Sequence, residues 1–376
     1  MRNKVVSIAF VMTLLLTLVN PVSAASADEA VTRALDWLVS QQNADGGFSS
    51  GFSPESSVSA TAEAVVAFAA GGQDAGAVRS ADGASPLDYL HRQISAGQVE
   101  GIGVVAKVVL ALLAAGQNPS GFAGQDLVGQ LEAAYDPESG SYGSSLFDQA
   151  LVVLALANAG RAVPTGAVDY LVRYQTTDGA WSFMGDTAAL SGDTNTTALV
   201  VQAMVAAGRK DEVGRGLAYL QRVQNLDAGW PYQNPSPYGT ETDANSTALV
   251  LQTIYAVGQE PGDWYINGAD PLGTLLALQN ASGSFSYQAS FPDDNALATL
   301  QAIPAVAGVS LAAVRRVPTS AVPGAAVGAP PRTLPVAGGV AVSVAAGLLV
   351  VGLASAVFGY WLGRRTEVTQ RGARRS

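Results

Sequence analysis

The sequence has 376 residues, of which 48% are hydrophobic and 13% charged, with 30 Asp and Glu, 20 Lys and Arg, one His and no Cys. Without cysteine, disulfides, thiol catalysis and thiolate metal sites are excluded. The acidic balance argues against nucleic acid as a partner.

The first 24 residues have the pattern of a secretory signal peptide. Arg2 and Lys4 precede an apolar run over residues 5–19, and a small-residue cleavage pattern follows at 22–24. This order of a basic start, an apolar stretch and small residues is typical of export signals. We therefore expect residues 1–24 to be removed from the mature protein.

The C-terminal part is predicted to anchor the protein in a membrane. Residues 340–362 carry no charge, and 23 residues are enough to cross a hydrocarbon core of about 30 Å as a helix. Five arginines and one glutamate follow in the tail 363–376. By the positive-inside rule this tail stays in the cytoplasm, and everything before the span lies outside the cell. The Pro-rich residues 317–339 predict a linker.

Two further features bear on the location. The segment from Leu334 to Gly338 resembles the sortase signal L-P-x-T-G, but Ala337 stands in place of the threonine, which argues against covalent wall attachment. Removing the seven basic and one acidic residues of the two ends leaves 13 basic and 29 acidic residues, a net charge of −16. Such a surface repels nucleic acid and anionic lipid headgroups.

The stretch between the two ends repeats. Apolar runs rich in Ala, Val and Leu each end in a glycine, 44 to 50 residues apart: Gly71, Gly116, Gly160, Gly208, Gly258 and Gly308. A helix that is apolar on every face must be buried on every face, and a glycine suits its C-terminal cap. An amphipathic segment precedes nearly every run, starting at Ala34, Pro86, Ala167, Gly216 and Pro271. These segments predict outer helices that shield the apolar ones.

Six such pairs can form an open solenoid or a closed ring. Closure leaves no apolar end repeat exposed, so we predict an all-α fold, a closed (α/α)6 toroid over residues 28–316.

A short motif links the two helices of several pairs. It reads QNADGGF from Gln42, QTTDGAW from Gln175, QNLDAGW from Gln224 and QNASGSF from Gln279. We expect a turn in which the aromatic residue packs back on the helices. The glutamine amide is expected to bond to unpaired groups at the adjacent inner-helix terminus.

These motifs resemble the QW repeats of squalene-hopene cyclases and the related protein prenyltransferases. The sequence is also similar to exported bacterial members of that superfamily, and more distantly to the helical domain of cobalamin carriers in DTNTTAL at Asp193 and DANSTAL at Asp243. The resemblance covers about residues 28–316 and implies an (α/α)6 barrel. Because one fold hosts many functions, it does not specify an activity.

The activities known in the superfamily need residues that this sequence lacks. Prenyltransferases hold zinc through Asp, Cys and His, but there is no Cys, and His91 lies on a predicted outer helix. The cyclases need a D-x-D-D cluster, whereas Asp293 and Asp294 follow Phe291 and Pro292. Complement thioester domains need a cysteine. The sequence therefore offers no catalytic residue set, no metal site and no cofactor; the D-x-D-x-D-G loop that would indicate calcium is missing too.

Polar residues recur just before the last three inner helices. Since they occupy the same place in consecutive units, closure brings them to one mouth of the barrel, where binding sites are favoured. The candidate ligand-binding residues are Trp181, Asp186, Asp193, Asn195, Trp230, Glu241, Asp243, Asn245, Asp293, Asp294 and Asn295. The alternative is that the Asp and Asn side chains only cap helix N-termini, an interaction worth about 1 kcal/mol each.

Three functions follow from this. The first is noncatalytic binding of a small molecule, terpenoid or glycan at the barrel mouth, by a protein held at the cell membrane. The second is a terpene-cyclase-like or glycan-degrading enzyme, in which acids such as Glu241 and Asp243 act as acid and base. The third is a protein-interaction scaffold, which gains if Asp193, Asp243 and Asp294 all turn away from the cavity into caps.

Overall fold

The structure is a computed structural model that describes residues 26–314. The expected signal peptide, linker, membrane span and basic tail lie outside the described residues. Between residues 26 and 314, no helix combines the length and the apolar character needed to cross a bilayer.

The described residues form twelve α-helices joined by turns, with isolated β-bridges in place of strands. Six are inner helices: α2 (Val58–Ala70), α4 (Ile102–Ala114), α6 (Leu146–Asn158), α8 (Thr194–Ala206), α10 (Ala244–Ala256) and α12 (Ala296–Val306). Six are outer helices: α1 (Ala27–Ser40), α3 (Pro86–Ser95), α5 (Leu127–Ala133), α7 (Thr165–Arg173), α9 (Gly214–Val223) and α11 (Pro271–Leu276). Each outer helix and the inner helix after it form one unit.

The inner helices close into a ring. Each of them packs against the next one, and α12 packs against α2, while α1 also lies against α12. The all-α toroid predicted from the repeat is therefore confirmed, and the open solenoid is not formed. Burial explains the choice, because almost every residue of an inner helix such as α8 or α10 is buried. Such helices need neighbours on all sides.

The inner helices end at glycines in the left-handed region of backbone conformation. Gly116, Gly160, Gly208 and Gly258 have φ between 68° and 78°, a range that is strained for residues with a Cβ. The first unit differs from the prediction. Its Gly71 has φ −83°, and the following Gly72 takes the left-handed conformation at φ 78°. The cap therefore comes one residue later than expected there.

The repeated motif is a joint between the two helices of one unit. Its aromatic residues are buried, and their backbone N–H groups donate to threonine hydroxyls on the inner helices, as Trp181 does to Thr197 at 2.9 Å and Trp230 to Thr247 at 3.0 Å. Both indoles also donate to the last turn of their own outer helix. The joint thus fixes the angle at which an outer helix leads into its inner helix.

The motif glutamines bind differently from the prediction. Gln279 Nε2 donates to the Gly283 carbonyl of its own turn at 2.9 Å and to the Ala30 carbonyl of α1 at 2.8 Å. Gln224 does the same with Ala228 and with Trp264, which precedes α11. The amides therefore reach the outer layer of the next unit instead of an inner-helix terminus. Through Gln279, unit six is joined to unit one.

In the motif, the residue two positions before the aromatic residue has a left-handed backbone conformation. Gly179 has φ 97°, and a Cβ there would lie 2.6 Å from the Arg215 carbonyl oxygen of the next outer helix. In unit five the same position is Ala228, at φ 69°. The two sites therefore share a left-handed backbone, which is strained at Ala228 and unstrained at Gly179.

We expect Gly179→Ala to lower the free energy of unfolding by more than about 2 kcal/mol, because it adds a backbone collision to the cost of a left-handed alanine. The matched change Ala228→Gly should stay within about 1 kcal/mol of wild type, since relief of strain is offset by greater freedom of the unfolded chain. Urea denaturation of both variants measures this. A Gly179→Ala protein as stable as wild type would contradict the packing of the joint.

Candidate functional site

The barrel has one open end and one closed end. The N-termini of the inner helices share the open end with four long loops, residues 49–57, 183–193, 231–242 and 286–295; we call this end the mouth. At the opposite end, the chain turns back after α12 across the helix C-termini. A site at the barrel axis is therefore reached from the mouth.

The closed end is held by hydrogen bonds to the last described residues. Gln202 Oε1 accepts from the Leu311 N–H at 3.0 Å, and Asn158 Nδ2 donates to the Leu311 carbonyl at 2.9 Å. Asn158 Oδ1 also accepts from the Val314 N–H at 2.8 Å. Asn158 of α6 and Gln202 of α8 thus hold Leu311 across the closed end of the barrel, which we call the floor.

The mouth loops are tied to neighbouring units. Three of the long loops reach back to the preceding inner helix and accept from its first N–H: Phe183 O from Leu146 at 2.9 Å, Tyr232 O from Thr194 at 2.8 Å, and Tyr287 O from Ala244 at 2.9 Å. Glu241 also accepts from the Ser290 N–H at 2.9 Å, which joins two of the loops. The mouth is consequently a connected rim.

The two aspartates predicted at the mouth are buried helix caps. Asp193 Oδ1 accepts from Thr196 N and Asp243 Oδ1 from Ser246 N, both at 2.7 Å, and their residues are 3% and 1% exposed. Burial raises the pKa of Asp193 to about 6 and that of Asp243 to about 7, although bonds from Thr196 and Ser246 oppose the shift. Their carboxyl groups are therefore used as helix caps.

The three polar residues before α12, Asp293, Asp294 and Asn295, have different roles. Asn295 caps α12, with Oδ1 accepting from Ala298 N at 2.9 Å. Asp294 accepts from Ser284 Oγ at 2.6 Å and Ser282 Oγ at 2.8 Å in the motif turn, and these bonds, led by the one from Ser284, lower its pKa. Asp293 is exposed. Asp294 is therefore a turn residue instead of a cap.

The tryptophans predicted to face a ligand belong to the core. Trp181 is 1% and Trp230 0% exposed, and both indole N–H groups are bonded to helix carbonyls. This corrects the expectation, since a buried indole has no free face for a ligand. Asp186 and Glu241 are exposed on the mouth loops and remain candidates.

The asparagines at the second position of two inner helices differ in their contacts. Asn245 Nδ2 donates to Gln301 Oε1 at 2.9 Å. Asn195 Oδ1, at the equivalent position of α8, is buried and has no hydrogen-bond partner among the described residues. Of the predicted mouth residues, Asn195 is the one that offers a buried, unused acceptor.

An axial cavity of about 80 Å³ lies inside the ring, and the prediction from the loops did not include it. Its walls come from all six inner helices, and Leu311 contributes from the closed end. The apolar lining residues include Val66, Leu110, Phe147, Leu151, Leu199, Leu249 and Leu300, and the polar ones are Glu63, Lys107, Gln252 and Gln301.

An ion pair sits on one side of this cavity. Lys107 Nζ donates to Glu63 Oε1 and, at 2.9 Å, to Ser59 Oγ. Glu63 Oε2 is buried and has no hydrogen-bond partner within residues 26–314. On the next helix, burial raises the pKa of Asp148, and the charge of Lys107 partly opposes that shift. Two carboxyl groups and one ammonium group therefore line adjacent inner helices.

Two glutamines at the same position of neighbouring helices have different environments. Both ends of the Gln202 amide are hydrogen-bonded, because its Oε1 accepts from the Leu311 N–H and its Nε2 donates to Thr253 Oγ1 at 3.3 Å. Gln252 is 3% exposed and lines the cavity, but its Oε1 has no partner among the described residues. A buried carbonyl oxygen without a donor costs about 1–3 kcal/mol.

A signal for these residues was present in the sequence. Glu63, Lys107 and Gln252 are polar residues inside runs that are otherwise mostly apolar. A polar group on a helix that is buried all round must be paired or must face a cavity. The loop motifs drew the prediction to the rim, whereas the isolated polar residues indicated the axis.

Within residues 26–314, no cluster of three or more His, Cys, Asp or Glu side chains has the arrangement of a metal site. His91 is exposed and packs against the edge of the Phe122 ring, 5.7 Å between centroids.

No protein-family model matches the sequence, and no curated protein is significantly similar to it. Solved structures do share its fold. An unsaturated glucuronyl hydrolase specific for heparin has a TM-score of 0.55 at 11% identity over 74% of this chain and 95% of its own. The type II terpene cyclase MstE from Scytonema has 0.52 at 16% identity over 75% and 97%.

An inactive variant of an α-1,6-mannanase from Salegentibacter, solved with α-1,6-mannotriose, has a TM-score of 0.50 at 10% identity, over 76% of this chain and 100% of its own. At such identities the likeness shows the fold alone. The α/α-toroid fold that the motifs implied is confirmed, and the chain shares this fold with a terpene cyclase, a glucuronyl hydrolase and a mannanase.

The buried caps predict an unusual pH dependence. A carboxyl group whose folded pKa is raised keeps its proton in the folded state while the unfolded chain ionises, so it lowers stability as pH rises from about 4 through 7. We expect Asp243→Asn, which keeps the cap acceptor, to flatten this decline and to raise the free energy of unfolding at pH 8 by on the order of 2 kcal/mol.

The control is Asp294→Asn. Because the pKa of Asp294 is lowered, this change should instead reduce stability above pH 4. Urea denaturation between pH 4 and pH 8 measures both variants. If Asp243→Asn loses stability at every pH, the ionised carboxylate is favourable and the cause assigned to its pKa is wrong.

The two glutamines predict opposite responses to the same substitution. Gln252→Leu should leave the free energy of unfolding unchanged or raise it by up to about 1 kcal/mol, because it removes an unsatisfied acceptor. Gln202→Leu should lower it by about 1–2 kcal/mol, since the Leu311 N–H loses its acceptor. Thermal and urea unfolding compare them. Equal losses in both variants would show that Gln252 has a partner in solution.

Proposed function

We propose that the domain binds a small molecule in the axial cavity, with access from the mouth. The observation that carries this proposal is the cavity itself, in which Gln252 Oε1 and Glu63 Oε2 are buried without donors. The folded protein bears the cost of those acceptors, and a ligand that donates to them recovers it. The structural similarity to a terpene cyclase and to a mannanase is compatible with binding of a small molecule by this fold.

The proposal moves the ligand from the rim to the axis. Asp193 and Asp243 are caps, and Asp294 is held in a turn, so the rim acids support a scaffold as well as they support binding. A scaffold has no need of unsatisfied acceptors inside the barrel. We therefore place ligand binding before a purely structural role.

We also propose that this binding takes place outside the cell, at the membrane surface. The features that support it are the basic and apolar start of the sequence, the uncharged residues 340–362 and the arginine-rich tail. The acidic surface of the domain suits a protein that stays clear of anionic lipid headgroups.

The second candidate function is an enzyme that acts on a terpenoid or a glycan. Asp148 of α6 and Glu63 of α2 favour it as a pair of carboxyl groups: burial raises the pKa of Asp148, and Glu63 is bound to Lys107 on α4, the helix between them. Such a pair can supply a general acid and a general base. The structural neighbours are enzymes of these two kinds.

The test fills the cavity. Ala62 lines it and is 1% exposed, so Ala62→Leu should occupy much of the space and weaken binding at least about tenfold. The matched control, Ala96→Leu, lies on the exposed end of α3 and should bind as wild type does. Native mass spectrometry against a terpenoid and glycan panel measures binding, and circular dichroism verifies folding.

Two outcomes decide between the candidates. Unchanged binding by a folded Ala62→Leu variant would overturn the axial site. If the bound molecule is converted to product and Asp148→Asn abolishes the conversion without abolishing binding, the enzyme replaces the noncatalytic binder.

A further inference from the structure

We propose, on the basis of the proposed function, that the cavity takes the hydroxyl end of an uncharged aliphatic alcohol, with the hydroxyl group donating to Gln252 Oε1 and the hydrocarbon body lying in the mouth. Hydrogen-bond polarity, charge and the apolar lining point to this chemical class independently of one another.

The first observation concerns hydrogen-bond polarity. The cavity presents two buried and unused acceptors, Gln252 Oε1 and Glu63 Oε2. The orientation of the Gln252 amide follows from its neighbour, since Nε2 lies 3.5 Å from the Gln301 carbonyl oxygen and a flipped amide would set two acceptors against each other. A ligand that fits here must therefore be a donor.

The second observation concerns charge. The charged residues that line the cavity are Glu63 and Lys107, which neutralise each other, and Lys107 is engaged by Glu63 and Ser59. The four mouth loops contain no Lys or Arg, while Glu55, Asp186 and Glu241 belong to them. An anion would meet repulsion on entry and no free cation inside, which excludes phosphates and carboxylates.

The third observation concerns the walls and the size. Most lining side chains are Leu, Val, Ala and Phe, so a sugar ring would leave most of its hydroxyl groups unsatisfied. The cavity of about 80 Å³ is roughly half of the 150 Å³ pocket known to hold benzene. Only the hydroxyl end of a ligand enters it, and the rest must lie in the mouth.

The mouth can receive such a hydrocarbon tail. Each of its four long loops exposes at least one large apolar side chain, a feature that suits contact with an apolar molecule. These residues are Phe52, Met184, Leu190, Tyr238 and Phe291, which are 41–68% exposed. The polar end of the ligand is thus recognised at the axis and its body at the rim.

The experiment compares molecules that differ in one group. Geraniol, geranyl methyl ether and geranyl phosphate share one hydrocarbon body, and methyl mannoside represents a sugar. Isothermal titration on the full-length protein should show geraniol binding about tenfold more tightly than the ether, which lacks the donor. The phosphate and the mannoside should bind more weakly still.

Two variants separate recognition from general partitioning. Gln252→Leu should bring the affinity for geraniol down to that for the ether, because the acceptor is gone. Gln202→Leu, at the equivalent position of α8, should keep the tenfold preference even though it loses stability. Any uptake of geraniol by detergent is the same for both variants and cancels in this comparison.

The outcomes distinguish this inference from the proposed function. Equal affinity for the alcohol and the ether, or tighter binding of the phosphate or the mannoside, would overturn the ligand class and leave the axial site in place. If geraniol fails to bind, but another molecule binds the wild type and not the Ala62→Leu variant, the proposed ligand class is wrong and the axial site stands. If no molecule binds in the cavity in either experiment, both fail.

Discussion

The structure depends on one constraint, the burial of helices that have no polar face. α8 and α10 are buried along nearly their whole length, so each needs apolar neighbours on every side. A ring of six inner helices within six amphipathic ones meets this need without an exposed end, and contact between α12 and α2 completes it. The mouth, the floor and the axial cavity are consequences of that closure.

The joints convert a linear repeat into a ring of fixed geometry. Gln224 and Gln279 bind both their own turn and the outer layer of the next unit, so each joint sets the position of its neighbour. The contact of Gln279 with Ala30 spans 249 residues of sequence. Neighbouring units are therefore linked by part-buried hydrogen bonds of the glutamine amides as well as by apolar packing.

Much of the fold could be predicted from the sequence, because glycine-terminated apolar runs encode buried helices directly. The hydrogen-bond partners of the motif glutamines could not be predicted. A linear repeat does not show whether the amide reaches the next unit or the inner helix of its own unit. The aspartates at 193 and 243 carried a visible capping signal, and the structure gives them that role. The axial site was missed because Glu63 and Gln252 reveal their direction only once the rotation of each helix about its axis is known.

Equivalent positions of the nearly sixfold-symmetric barrel have different hydrogen-bond partners inside it, and this difference marks the proposed ligand site. Gln202 and Gln252 occupy the same position on adjacent helices, yet among the described residues the segment after α12 supplies a donor, the Leu311 N–H, to Gln202 alone. A single returning segment cannot satisfy both. The unused acceptors therefore collect on the side formed by α10 and α2, where Gln252 and Glu63 face the axis. Closure of the floor at α6 and α8 thus leaves Gln252, on the neighbouring helix α10, free to recognise a ligand.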